Sequence, residues 1–179
     1  MCSDAEYLEW LVAEDEASRE ARLERLRWLV ETFGEPRHLL FRGGPISYRA
    51  FEEARLCFLN GQFIATTLLS QVVLEHMLAA LFHSAERDDL KGSGFKRLVD
   101  EAVKERIITS EEHAAFDRIR QRRNPVVHYR DPMNQESIIY RAIREDTTIR
   151  QVLEDDAKTA LSTIFNLLNR YPFAFGTED

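Results

Sequence analysis

Residues 117–130 hold five arginines and one aspartate, a local charge of +4 that leaves −11 for the rest of a chain whose formal net charge is −7. Arg118, Arg120 and Arg122 fall off the apolar stripe of Phe116 and Ile119. They read as solvated cations complementing the end of a helix. Arg123 continues that stripe and so points inward, where a guanidinium needs a carboxylate or a bound anion. Asn124-Pro125 follows, and proline disfavours the helical conformation in the residue before it. A break is therefore predicted there, with Asn124 capping a new turn and His128 near its start, close to Arg123. A guanidinium can hold two non-bridging phosphate oxygens, and an imidazole exchanges protons near neutral pH. Together these residues suit a phosphodiester.

Other chemistries have less support. Of the five histidines, His38, His76, His83, His113 and His128, none pairs at the spacing that sets two imidazoles on one helix face beside a carboxylate, and there is no Cys-x-x-Cys. His76 and His83 share a face, which reads as a partly buried pair rather than a metal site. No metal or other cofactor is expected. The glycines at 43–44 and 92–94 are too sparse for a phosphate loop, and no nucleophile elbow is present. Cys57 sits in an apolar pattern and reads as packing. Thr67, Gln71 and Glu75 form a polar stripe through an apolar segment, read first as a solvated face. The alternative is a cleft beneath Arg123, with Glu75 as the guanidinium's partner.

The elements that would position these groups are helices. Seven glycines and five prolines in 179 residues leave little punctuation, and apolar residues recur at three- and four-residue spacing. The expected helices cover residues 4–33 (with Leu23, Leu26, Val30 and Phe33 on one stripe), 48–60 (capped by Ser47), 63–83, 95–105, one opened by a capping box at Thr109 and Glu112, 136–144 and 149–171. The first has a polar middle, leaving open two helices or one that projects. Residues 35–46 and 86–94 read as loops. Segment 63–83 is apolar but interrupted by Gln71, Glu75 and His76, which favours a core helix over a membrane span. The expectation is an all-α bundle of about four core helices, with residues 1–46 as an N-terminal helical extension and loop and 47–179 as the main domain. Only two cysteines, and a polar, acidic start in place of an apolar leader, point to a cytoplasmic protein without a membrane partner. The acidic average argues against broad, non-specific nucleic-acid binding but permits a local phosphate site.

The run Arg123-Asn124-Pro125-Val126-Val127-His128 resembles the signature of the HEPN superfamily of small α-helical domains, an Arg and a His separated by four to six residues of which the first is often Asn, Asp or His. Upstream, the segments at 51–54, 60–65 and 72–78 look like the paired helices of that family, and the resemblance covers roughly residues 48–171. It implies a HEPN-like bundle with an extra N-terminal helix. It also implies a metal-independent endoribonuclease of the kind found in toxin–antitoxin and phage-defence systems, with Arg123 and His128 as the catalytic pair. Asn124, Glu75 and Tyr129 would be auxiliary, and Arg120, Arg122 and Arg130 would contact RNA. One His cannot be base and acid in the same step, so a homodimer pooling two copies of the pair is implied. An antitoxin or regulatory protein is an implied partner. In one subtype a Tyr lies two positions after the His; here Tyr129 follows at once and Arg130 takes the later place, so tyrosine modification is not implied. A competing reading keeps the fold without the activity, as a module binding a nucleotide or a protein. A third is a helical adaptor docking through its first helix.

Overall fold

Ser3 opens the chain's first helix with a capping box: its hydroxyl accepts the Glu6 N–H at 3.4 Å, and the Glu6 carboxylate accepts the Ser3 N–H at 2.6 Å. The helix so begun, α1, runs unbroken over Asp4–Phe33. The computed structural model describes residues 3–34 and 43–170. Only the C-terminal half of α1 meets the body, through buried Arg25 and Leu29 and through Trp28 and Phe33, whose rings lie 4.9 Å from Phe58 and 5.0 Å from Phe165. The expected stripe is thus divided. Phe33 packs, whereas Leu23, Leu26 and Val30 remain 45%, 43% and 40% exposed because the body lies on the other side of the helix.

Helix α2, Gly44–Leu59, starts earlier than expected. Pro45 fits its first turn, where an N–H has no helical partner in any case. Ser47 is consequently no cap; it is buried inside the helix and its hydroxyl donates to the Val73 carbonyl at 3.4 Å. Residues 44–46, expected as loop, are helical, and 35–42 lie outside the described residues. Gly61 turns the chain at φ 74°, and Arg25 Nε donates to the Leu59 carbonyl at 2.8 Å, closing the end of α2.

Helix α3, Phe63–Ser84, is the centre of the fold. By length and composition alone it could cross a membrane, yet Val73, Leu74, Met77, Leu78 and Phe82 are taken up by its neighbours. Full burial of each such side chain contributes about 1.5–3 kcal/mol. Around α3 stand α2, α4 (Phe95–Lys104), α5 (Ser110–Val127) and α7 (Ile149–Arg170), with α6 (Ile138–Arg144) packed on α7. The segment expected as a polar loop before α4 contains one 3-10 turn, Asp88–Leu90, whose Leu90 is buried. Ser137 caps α6 by accepting the Tyr140 N–H at 3.0 Å. Helix α7 buries Ala157, Ala160, Leu161, Ile164 and Leu168, the face its periodicity predicts; Tyr171 lies outside the described residues. Among the described residues there are seven α-helices and no strand, so the all-α expectation holds.

Candidate functional site

Helix α5 carries the arginine cluster, and its capping box forms as the sequence predicts. Thr109 Oγ1 accepts the Glu112 N–H at 3.1 Å, and Glu112 accepts the Thr109 N–H at 2.7 Å. Phe116 and Ile119 anchor the helix in the core. The expected break at Asn124-Pro125 is absent, because α5 continues through Pro125 to Val127. Pro125 forfeits its backbone hydrogen bond, but it stands in the last turn of α5, so no further turn of helix depends on it. Asn124 therefore caps nothing; its carbonyl accepts the His128 N–H at 2.8 Å, and His128 ends the helix in extended conformation. Four helical residues lie between Arg123 and His128, and the five steps amount to roughly 140° of rotation about the axis, so the two do not share a face.

The arginines divide by partner. Arg120 Nε donates to Asp117 Oδ1 at 2.7 Å, and Arg130 Nε lies 3.7 Å from Glu136. Arg122, expected on a solvated face, is half-buried with Nε 3.5 Å from Asp156 Oδ1. Burial pushes its pKa down and Asp156 opposes the shift. The same carboxylate holds buried Arg141 in a two-pronged bond of 2.6 and 2.8 Å. These three groups tie α5, α6 and α7 together. Arg123 differs from them: it is half-buried, its guanidinium donates to Asn124 Oδ1 at 3.3 Å, and among the described residues no carboxylate pairs with it.

Arg123 and Asn124 border a cleft of about 720 Å³ between α3, α4 and α5. Gln71 and Glu75 line it from α3, and Arg120 from α5. The polar stripe of α3 therefore turns inward rather than to solvent: Thr67 is 4% and Gln71 8% exposed, and Gln71 Oε1 is buried without a hydrogen-bond partner. Glu75 shares the cleft with Arg123 but makes no ion pair with it. From α4 come Phe95, Lys96, Arg97, Asp100, Glu101 and Lys104, giving the lining five basic and three acidic side chains. Two of the acids are engaged. Lys96 and then His113 hold the Asp100 carboxyl below its ordinary range, and Lys104 does so for Glu101. Sequence reasoning missed the contribution of α4, a segment expected only as a short helix; the available signal was that Lys96, Arg97 and Lys104 fall off its apolar positions Leu98, Val99 and Ala102.

His128 is exposed and does not line the cleft, and among the described residues its imidazole has no hydrogen bond or ion pair. Tyr129 is 87% exposed beside it. His76 and His83 border a second cavity of about 430 Å³ that Glu75 also reaches. Among the described residues no group of three or more His, Cys, Asp or Glu converges as a metal site would require. Cys57 is half-buried, and burial raises its thiol pKa, so it is not set up as a nucleophile. What the arrangement offers chemically is a half-buried guanidinium without an ion pair and an unpartnered amide oxygen lining the same cleft, and an exposed imidazole past the end of the same helix, all among the described residues.

Comparison with protein-family models, curated proteins and solved structures finds no match to this chain.

Proposed function

We propose that the chain is a metal-independent endoribonuclease of HEPN type whose working site is composed at a homodimer interface. The observation that carries this reading is Arg123, a half-buried cation on a cleft with more basic than acidic side chains, ion-paired to no carboxylate among the described residues. A helical bundle centred on α3 and the run from Arg123 to His128 add to it. The imidazole, exposed and unbonded, is free to meet a second chain. In the reaction, one protomer's His128 takes the proton of an RNA 2′-hydroxyl, whose oxygen attacks the adjacent phosphorus. The second protomer's His128, protonated, gives its proton to the departing 5′-oxygen, leaving a 2′,3′-cyclic phosphate and a 5′-hydroxyl. Arg123 donates to the non-bridging oxygens, where charge builds in the phosphorane. By its resemblance such an enzyme acts as a toxin or phage-defence effector restrained by an antitoxin or regulatory protein.

The test is incubation of purified protein with a single-stranded RNA in EDTA beside Arg123→Ala and His128→Ala. Wild type cleaves and each variant loses about 10²–10⁴ of the rate. An inactive wild type, or variants as fast as wild type, overturns the reading. A second reading, a binding module without turnover, is favoured by the roughly 140° that separates Arg123 from His128 on one chain. It predicts that a nucleotide or RNA binds in the cleft, weakens with Arg123→Ala, ignores His128→Ala and is released unchanged.

A further inference from the structure

Of the three acids that line the cleft between α3, α4 and α5, two are held by basic side chains: Lys96 and His113 take Asp100, and Lys104 takes Glu101. Glu75 is the third. It is half-buried and, among the described residues, forms no ion pair or hydrogen bond, although Arg123, equally without an ion pair, borders the same cleft. One turn before Glu75 on the same face of α3 stands Gln71, 8% exposed, whose Oε1 is buried and accepts no hydrogen bond among the described residues. A buried acceptor left unmet costs stability, so one that lines a cleft points to a ligand that meets it.

A carboxylate and a guanidinium that share a cleft without pairing suit a molecule with hydrogen-bond donors at one end and an anion at the other. Glu75 and Gln71 together offer three acceptor oxygens from side chains whose Cβ atoms lie about 5–6 Å apart. Of the four RNA bases only guanine sets three N–H hydrogens side by side on its Watson–Crick edge, one on N1 and two on N2. Adenine and cytosine place a ring acceptor beside the amine, and the single N–H of uracil lies between two carbonyls, so each of these brings an acceptor against an acceptor. We propose that the cleft reads guanine. Glu75 accepts from N1–H and from one N2 hydrogen, Gln71 Oε1 accepts the other, and Arg123 holds the phosphate of the same nucleotide. The inference rests on the cleft being the nucleotide site, which the nuclease and the binding-module readings share. The base belongs to a free nucleotide or to an RNA strand, and the experiment separates these two sources.

Calorimetric titration of the full chain with GMP, IMP, AMP, CMP and UMP is run beside cleavage of a single-stranded RNA that contains one guanosine, and of the same strand with inosine in its place. IMP lacks only the N2 amine. GMP is expected to bind about tenfold or more tightly than IMP and than the other three, and cutting at guanosine is expected to fall about tenfold at inosine, the loss for donors to a buried or charged acceptor. Glu75→Gln and Gln71→Leu, checked for helix content by far-UV circular dichroism, each narrow that gap several-fold. A guanine preference in calorimetry alone assigns the free nucleotide, and one in cleavage alone assigns guanine within RNA. A preference in neither assay, or variants that keep the full gap, overturns the guanine site; a strand that is still cut leaves the nuclease reading standing. A guanine preference in binding with the strand uncut removes the nuclease reading and not this one.

Discussion

Asp156 and Arg123 show how differently two charges in one protein can be compensated. Asp156 is 7% exposed and serves two guanidinium groups, so its removal strands Arg141, itself 5% exposed. Asp156→Ala is expected to cost about 3–5 kcal/mol in urea unfolding, the range for one lost partner of a buried pair. A loss under about 1 kcal/mol would place the pair among weak surface bridges. Arg123 behaves oppositely, since among the described residues no carboxylate pairs with it. Arg123→Ala is therefore expected to leave Tm nearly unchanged while removing cleavage, or binding in the second reading; a large fall in Tm would make Arg123 a structural residue. Sequence spacing separated Arg123 from the solvated arginines, whereas the structure leaves Arg120, Arg122 and Arg123 all half-buried, and the spacing missed the tie from Arg122 to Asp156. Helical spacing states which way a side chain leaves its own helix, whereas the Arg122 carboxylate arrives from α7, 34 residues further along.

At the level of elements, α5 keeps its form through caps and ties rather than through propensity. Thr109→Ala removes the hydroxyl that accepts the Glu112 N–H and is expected to cost about 1 kcal/mol, read by denaturant unfolding. The α4–α5 tie is sensitive to acid. Lys96 and His113 hold the Asp100 carboxyl below its ordinary value. A carboxyl whose folded pKa is depressed contributes stability above its unfolded value, near 4, and loses that contribution as pH falls through the lower folded value. A Tm–pH profile below about pH 4 should accordingly be shallower in Asp100→Asn than in wild type, and parallel profiles would show the tie to be idle. Proline chemistry explains why the expected break near residue 124 did not form. The rule that a residue before proline leaves the helix is a preference, and here the bonds on either side, ending in His128 N–H to Asn124, outweigh it.

For the molecule as a whole, charge is distributed rather than pooled. Of the arginines in the cluster, Arg120, Arg122 and Arg130 have acidic neighbours within the chain. Few cations are left for phosphates, so binding of a non-cleavable RNA, such as one with 2′-deoxy sugars, should fall only gently with salt. About two or three contacts give a log–log slope near −2, and a slope beyond about −5 would indicate a far broader basic surface. The amino-acid sequence by itself determined the all-α class, the helices from α3 onward to within a few residues, the Thr109 cap and the burial of Phe116 and Ile119 on α5. These depend on periodicity and on contacts within one or two turns. Only the tertiary structure decided that Gln71 and Glu75 line a cleft with Arg123, that Arg122 serves Asp156, and that Leu23, Leu26 and Val30 face outward. Each of those outcomes depends on which distant helix arrives on a given side, and no local spacing records that.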